Sequence, residues 1–288
     1  MNMNKVLVLV GLSLLPCLTA QANETSDLKL PKIQVVPIKD TQADRQYELY
    51  IKLPEEYAKN KDKTYPVIYF TDAMVHVELF SAATEFLMEE AILVGISWQK
   101  DINEDLKKEY GANVSRYRDY SIRKSSNPET QAKFQRGQAS NHLDFIRNDV
   151  IKTVENDYRT DPGNRTYFGY SMGGKFGAYI LMAQPDTFKN YILGSPGLEG
   201  DIPFLSKIGS NAALKGRALN ANVFLSYGSL EKKLGKHTEE FIALLKNRND
   251  KSLSLKRVVI EGNHHTAFPM SGVRSVTWLS NLQNEGDE

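Results

Sequence analysis

A serine hydroxyl is a poor nucleophile until the backbone exposes it and a neighbouring base can take its proton. One stretch of this sequence is suited to the first of those tasks. Ser171 lies in Gly169-Tyr-Ser-Met-Gly173, a Gly-x-Ser-x-Gly pattern followed by Gly174. Glycine and serine usage alone produces such a pattern by chance, so its surroundings decide. Thr166, Tyr167 and Phe168 are strand formers directly before it. Lys175–Gln184 carries Phe176, Tyr179, Ile180 and Ala183 at helical spacing before Pro185. This is the setting of a nucleophile elbow, where a serine takes a strained conformation at a sharp strand-to-helix turn. Gly169 and Gly173 would remove side chains that collide with the turn, and Gly174 would let the helix lie close to the sheet. The hydroxyl would then face outward near the positive end of that helix.

Such a serine needs a base and a carboxylate to orient it, and in hydrolases with this elbow the chain order is serine, acid, histidine. Five histidines compete. His142 precedes the motif on a helical pattern and reads as a surface residue. His76 follows an earlier strand, in the wrong order for the base but close enough to line a pocket. His237 opens a helix and reads as solvated. His264 and His265 follow the last strand, where the base belongs, and spacing alone does not choose between them because neighbouring side chains point apart. For the acid, Gly228-Ser-Leu-Glu231 follows a strand and puts Glu231 where an orienting carboxylate belongs; the competing reading is a surface glutamate at a helix start. Glu239 and Glu240 sit further along that helix. The oxyanion of acyl transfer would be held by the backbone N–H of Met172 and by one from Ala73 or Met74. Asp72 reads as a turn former. No third ligand stands at a metal-site spacing from His264 and His265, so the site calls for no metal and no organic cofactor.

These residues need elements to bring them together. Ile33–Ile38 and Tyr47–Leu53 read as strands, the second alternating as at an antiparallel edge. Tyr65–Thr71 and Ala91–Trp98 are continuous apolar runs, as in buried parallel strands, and Glu78–Glu90 between them is helical. Gln99–Gln138 is a polar, charge-rich stretch of about 40 residues, unusual in a compact domain unless it serves function. Ala139–Tyr158 reads as a helix, Tyr191–Gly194 as a strand, the chain up to Asn220 as irregular, and Asn222–Tyr227 as a strand. A helix over Lys236–Asn247, a strand over Leu253–Ile260 and a final helix through Val273, Val276, Leu279 and Leu282 complete a doubly wound α/β pattern.

The N-terminus has its own grammar. Lys5, the apolar run Val6–Ala20 and Ala20-Gln-Ala22 have the order of a secretory signal peptide cleaved after Ala22. The run is shorter than a spanning helix and contains Pro16, so stable membrane insertion is not expected. Residues 23–288 then form one domain, periplasmic or secreted. Pro16 before Cys17 argues against lipid attachment, and cleavage would remove the only cysteine, leaving no disulfide or thiol chemistry. With 36 basic against 35 acidic residues scattered along 288, no nucleic-acid partner is indicated. Oligomeric state is not readable.

From about Arg45 to Leu282 the chain resembles the esterase D and enterochelin esterase branch of the α/β-hydrolases. The resemblance rests on Tyr65–Asp72, Arg118-Asp-Tyr120, Tyr158–Asp161, Gly169–Gly174, Ser195-Pro196, Gly228–Glu231 and His264–Pro269. It implies an α/β-hydrolase fold: a mostly parallel central sheet with helices on both faces. It also implies a serine esterase. The family's histidine stands five residues before a proline, which maps onto His264 and Pro269, and its acid maps onto Glu231. Gly197-Leu-Glu replaces the family's usual aromatic segment, which bears on substrate rather than chemistry. The expected assignment is Ser171 nucleophile, His264 base, Glu231 acid, and Met172 and Ala73 oxyanion donors. Met74, His76, Arg116, Arg118 and His265 are the expected substrate contacts, with Arg123 a further cation near an anionic ligand. The substrate is a small-molecule ester: the linkages of a trilactone siderophore, or short acyl esters in general. Acyl transfer to an alcohol and ligand binding without turnover on the same fold remain alternatives.

Overall fold

Continuous apolar runs become the middle of one sheet, and the alternating ones become its edge. The computed structural model describes residues 32–214, 216 and 218–284; the expected signal peptide, Met1–Ala22, lies outside the described residues. In chain order the elements are β1 (Ile33–Asp40), β2 (Arg45–Lys52), β3 (Tyr65–Thr71), α1 (Ala73–Leu87) and β4 (Ile92–Ile96), then α2 (Glu104–Tyr110), α3 (Arg116–Asp119), α4 (Pro128–Phe134), α5 (Ala139–Phe145) and α6 (Ile151–Asp157). There follow β5 (Thr160–Tyr170), α7 (Met172–Ala183), β6 (Asn190–Gly194), α8 (Ile202–Leu214), β7 (Ala221–Gly228), α9 (Lys232–Lys246), β8 (Leu253–Ile260) and α10 (Phe268–Asn284). The eight strands order as β1-β2-β4-β3-β5-β6-β7-β8. β1, β2 and β4 pair antiparallel, and every pairing from β4 onward is parallel.

Because successive strand side chains point to opposite faces, the sheet feeds two cores. Val67, Tyr69, Tyr167 and Leu193 pack on one side with Leu143, Val154, Phe176 and Phe241. Ile68, Phe70, Phe168 and Ile192 pack on the other with Phe80, Ala83, Val276 and Leu279. Each large apolar side chain buried in this way contributes about 1.5–3 kcal/mol. Helices therefore cover both faces, and the carboxyl ends of β3, β5, β6, β7 and β8 share one rim.

Several boundaries differ from the sequence reading. α1 starts at Ala73 rather than Glu78: Asp72 turns the chain with φ 59° and ψ 44°, and the apolar Ala73–Val77 extends the look of the strand into the helix. The irregular stretch after Ser195 holds α8, whose Ile202, Leu205, Ile208 and Ala212 keep helical spacing although Pro203 and Gly209 interrupt it; proline is tolerated in a first turn. Gln99–Gln138 is not structureless, since it folds into α2, α3 and α4. Asn103 accepts from the amides of Asp105 and Leu106 at the head of α2, and Asn127 accepts from Thr130 before Pro128 starts α4. Ala139–Tyr158 is helical but passes through a π-helical turn at Ile146–Val150. His142, read as a surface residue, is buried among Tyr47, Tyr120, Phe145 and Phe176. Its helix packs against both α3 and α7, which leaves Ser140 and Asn141 exposed and encloses the face that carries His142.

Candidate active site

Five strand ends supply the site. At the end of β5, Ser171 has φ 58° and ψ −114° and caps α7, a conformation a serine holds only when its surroundings enforce it. A Cβ on Gly169 would collide with the backbone of Gly173, and one on Gly174 would lie 2.8 Å from Gly194 O. The glycines are thus required by close backbone approach. Ser171 N donates to Gly194 O at 2.9 Å, and Ser171 O accepts from Gly197 N at 3.2 Å, tying the turn to the end of β6.

The loops after β7 and β8 are sewn together. Ser229 N donates to Ile260 O (2.7 Å) and Leu230 N to Gly262 O (2.9 Å). That brings Glu231 to His264, whose Nδ1 donates to Glu231 Oε1 at 2.6 Å. The other oxygen, Oε2, accepts from Gly228 N (2.6 Å) and Ser195 Oγ (2.7 Å). The Glu231 side chain is only 7% exposed, so its charge depends on these donors. With Nδ1 so committed, the remaining ring nitrogen, Nε2, is the one available to act on a proton. Asn263 shapes the histidine loop: its side chain accepts from His265 N (3.0 Å) and Thr266 N (3.1 Å).

Ser171, His264 and His265 line one cleft of about 260 Å³, together with His76, Arg116 and Phe268. His265 is exposed there and stands edge-on to His264. His76 is buried; its Nδ1 donates to Thr71 O at 2.8 Å and its ring stacks on Phe268. Burial pushes its pKa down, so it is a neutral wall. Ala73 and Met172 are the first residues of α1 and α7, and first-turn amides lack acceptors within their own helix. Val75 N and His76 N, one turn later, are already bonded to Asp72 O.

The other wall comes from the insertion. Asp72 accepts from Trp98 Nε1 (2.5 Å) and from Arg116 Nη2 (3.0 Å), and Arg116 Nε lies 2.8 Å away. Arg116 thus reaches the cleft as half of an ion pair. Asp72, read as a turn former, also anchors this wall. Arg118 does not line the cleft: it is buried, donating to Asp119 (2.8 Å) and Gln99 (2.6 Å). Met74 is exposed on the outer side with its sulfur against Tyr50 OH. Arg123 is paired with Asp201 (2.6 Å), which also takes Lys175 (2.9 Å). Arg118, Met74 and Arg123 are thus not among the residues that line this cleft. Trp98, Asn113, Tyr170, Val75 and Phe268 line the cleft without having been singled out. Signals existed for three of them: Tyr170 precedes the serine, Trp98 ends a strand run, and Phe268 lies four residues past His264. Among the described residues no three His, Cys, Asp or Glu side chains converge to hold a metal ion.

Comparisons with known proteins place the chain in a family. A family model described as "Putative esterase" matches residues 41–285. The chain belongs to this esterase family of α/β-hydrolases. The esterase is 27% identical over 225 residues to the ferri-bacillibactin esterase BesA of Bacillus subtilis (strain 168), covering 70% of this chain and 72% of that protein. In structure it is similar to the BES protein from Bacillus cereus, with TM-score 0.75, 24% identity, and 89% and 97% of the two chains covered. It is also similar to an IroE-like serine hydrolase from Shewanella oneidensis, with TM-score 0.71, 20% identity, and 86% and 80% covered. No described helix is long and apolar enough to cross a membrane.

Proposed function

We propose that this esterase hydrolyses carboxylic esters through Ser171, His264 and Glu231. The observation that carries the reading is the 2.6 Å His264–Glu231 bond in the same cleft as Ser171 on its strained turn. Ser171 Oγ attacks the ester carbonyl while His264 Nε2 takes its proton. The amides of Met172 and Ala73 receive the negative charge that develops on the carbonyl oxygen. His264 then returns the proton to the departing alcohol, and Glu231 stabilises the imidazolium in between. Water, activated by His264, releases the acid from the acyl-enzyme and regenerates Ser171. The reaction calls for no resident metal or cofactor.

For the substrate, the name of the Bacillus subtilis relative favours the ester linkages of a siderophore. A cleft of about 260 Å³ is below the usual 300–1,000 Å³ of small-molecule sites, which suits one arm of a larger ester with the remainder outside. The order of residues in Met1–Ala22 supports export, so the reading is of a periplasmic or secreted enzyme acting on ester-linked iron chelators.

Nitrophenyl esters assayed with wild type and Ser171→Ala test the chemistry: turnover lost in the variant is expected, and turnover that survives it refutes the reading. His264→Ala and His265→Ala separate the histidines, with loss expected in the first only. Chromatography of a trilactone siderophore, ferric and iron-free, after incubation with the enzyme tests the substrate, and an unchanged ligand counts against it.

A further inference from the structure

Ser195, ahead of Pro196 at the end of β6, has no part in the chemistry above. It is fully buried and has φ 39°, in the left-handed region that glycine holds without strain and serine does not. Its amide donates to Ser226 O at 2.7 Å. The residues on either side tie β6 to the elbow, through Ser171 N to Gly194 O and Gly197 N to Ser171 O. Its side chain points the other way: Oγ is 2.7 Å from Glu231 Oε2 and 2.9 Å from Tyr170 OH. Tyr170, the residue before Ser171, donates to the backbone carbonyl of His264 at 2.7 Å. Burial raises the Tyr170 phenol to about 12, which keeps that proton in place at neutral pH.

Counting hydrogens fixes the direction of this chain. Ser195 and Tyr170 carry one hydroxyl hydrogen each, and the ionised carboxylate and the carbonyl only accept. Tyr170 gives its hydrogen to His264 O, so Ser195 gives its own to Glu231 Oε2. Oε1 is then left to His264 Nδ1. Alanine would fill nearly the same space and glycine would suit the backbone better; the hydroxyl is what serine alone supplies here.

We infer that Ser195 is a positioning residue for ester hydrolysis, its hydroxyl holding Glu231 Oε2 so that Oε1 faces His264 Nδ1, while Tyr170 separately holds the His264 loop. This rests on the Ser171–His264–Glu231 reading. It adds the end of β6 to the three strand ends that supply Ser171, Glu231 and His264, and it assigns the left-handed backbone at Ser195 to aiming a hydroxyl.

Ser195→Ala and Ser195→Gly test it together. Neither has the hydroxyl, but glycine releases the backbone strain. On an ester the wild type hydrolyses, kcat is expected to fall about tenfold to a hundredfold in both variants, the weight of a hydrogen bond to a charged group, with KM nearly unchanged. Ser195→Gly should unfold at a temperature no lower than Ser195→Ala. The proton resonance of His264 Nδ1–H should shift or broaden in both. Wild-type kcat in Ser195→Gly, or an unmoved resonance, overturns the inference, because a space-filling role predicts those results. If the wild type and Ser171→Ala turn over esters equally, the serine esterase reading fails by itself; the resonance still decides the Ser195 contact without turnover.

Discussion

The cleft has two walls made by different means. On the β5–β8 side, Ser171, Ser195, Glu231 and His264 stand at consecutive strand ends, each held by hydrogen bonds of 2.6–3.2 Å to its neighbours. On the β3–β4 side the wall is borrowed: Asp72 stands on the sheet, but Trp98 and Arg116, which it holds, lie 26 and 44 residues away along the chain. The first wall holds the proposed nucleophile, base and acid, and the proposed oxyanion amide of Ala73 stands beside Asp72 on the second. The second takes Trp98 from just past β4, where Ser97 N and Lys100 N bond to β2, and Arg116 from the insertion. Recognition can change on that side without disturbing the chemistry, which is how one fold serves many substrates.

If this division holds, substitutions on the first wall should cost kcat and those on the second KM. The largest effect is expected for Ser171→Ala, a loss of about 10⁴-fold or more in kcat on nitrophenyl esters; a smaller loss would mean another nucleophile. Glu231→Gln comes next, at about 10³–10⁴-fold in kcat. Its amide cannot accept at both oxygen positions, so one of the bonds to His264, Ser195 or Gly228 fails. Arg116→Met should raise KM about tenfold and leave kcat within a few-fold, the weight of a charge-assisted contact to substrate. A fall in kcat like that of Glu231→Gln would erase the distinction between the walls. The smallest effect on turnover is expected for His142→Phe, beneath the borrowed wall. Burial pushes the pKa of His142 below the ordinary histidine value, so the unfolded chain binds the proton more readily than the folded one. Stability is therefore lost as pH falls below about 6.5. His142→Phe should flatten part of that loss in melting temperature measured from pH 7 to pH 4, and His76, also neutral and buried, should retain the rest.

The same division explains what could be read from the sequence. The bounds of β3 and β8 coincide with the runs Tyr65–Thr71 and Leu253–Ile260, because a strand buried on both faces, as β3 is, leaves a continuous apolar run, and an edge strand, as β8 is, leaves a partly apolar one bounded by polar loops. The strand-end order brought Glu231 and His264 into contact range in the sequence reading because parallel connections return successive strands to one rim. The Asp72–Trp98–Arg116 cluster had no such rule behind it: it joins residues through an insertion whose path no periodicity encodes. Arg118 and Arg123 show the cost. Charge nominated them for an anionic ligand, while Arg118 is taken by its chain neighbour Asp119 and Arg123 by Asp201, 78 residues along the chain. His142 failed for a related reason, since helical spacing says which residues share a face but not that Tyr47, Tyr120 and Phe176 arrive from elsewhere to enclose it.

Three left-handed residues, Asp72 at φ 59°, Ser171 at φ 58° and Ser195 at φ 39°, stand at the ends of the neighbouring strands β3, β5 and β6. Selection for thermal resistance alone would favour glycine at Ser171 and Ser195, though not at Asp72, whose carboxylate holds Trp98 and Arg116. A screen that scores only survival on heating should therefore collect substitutions along this rim that make the protein sturdier and inert, whereas one that also demands turnover must find its gains elsewhere in the molecule.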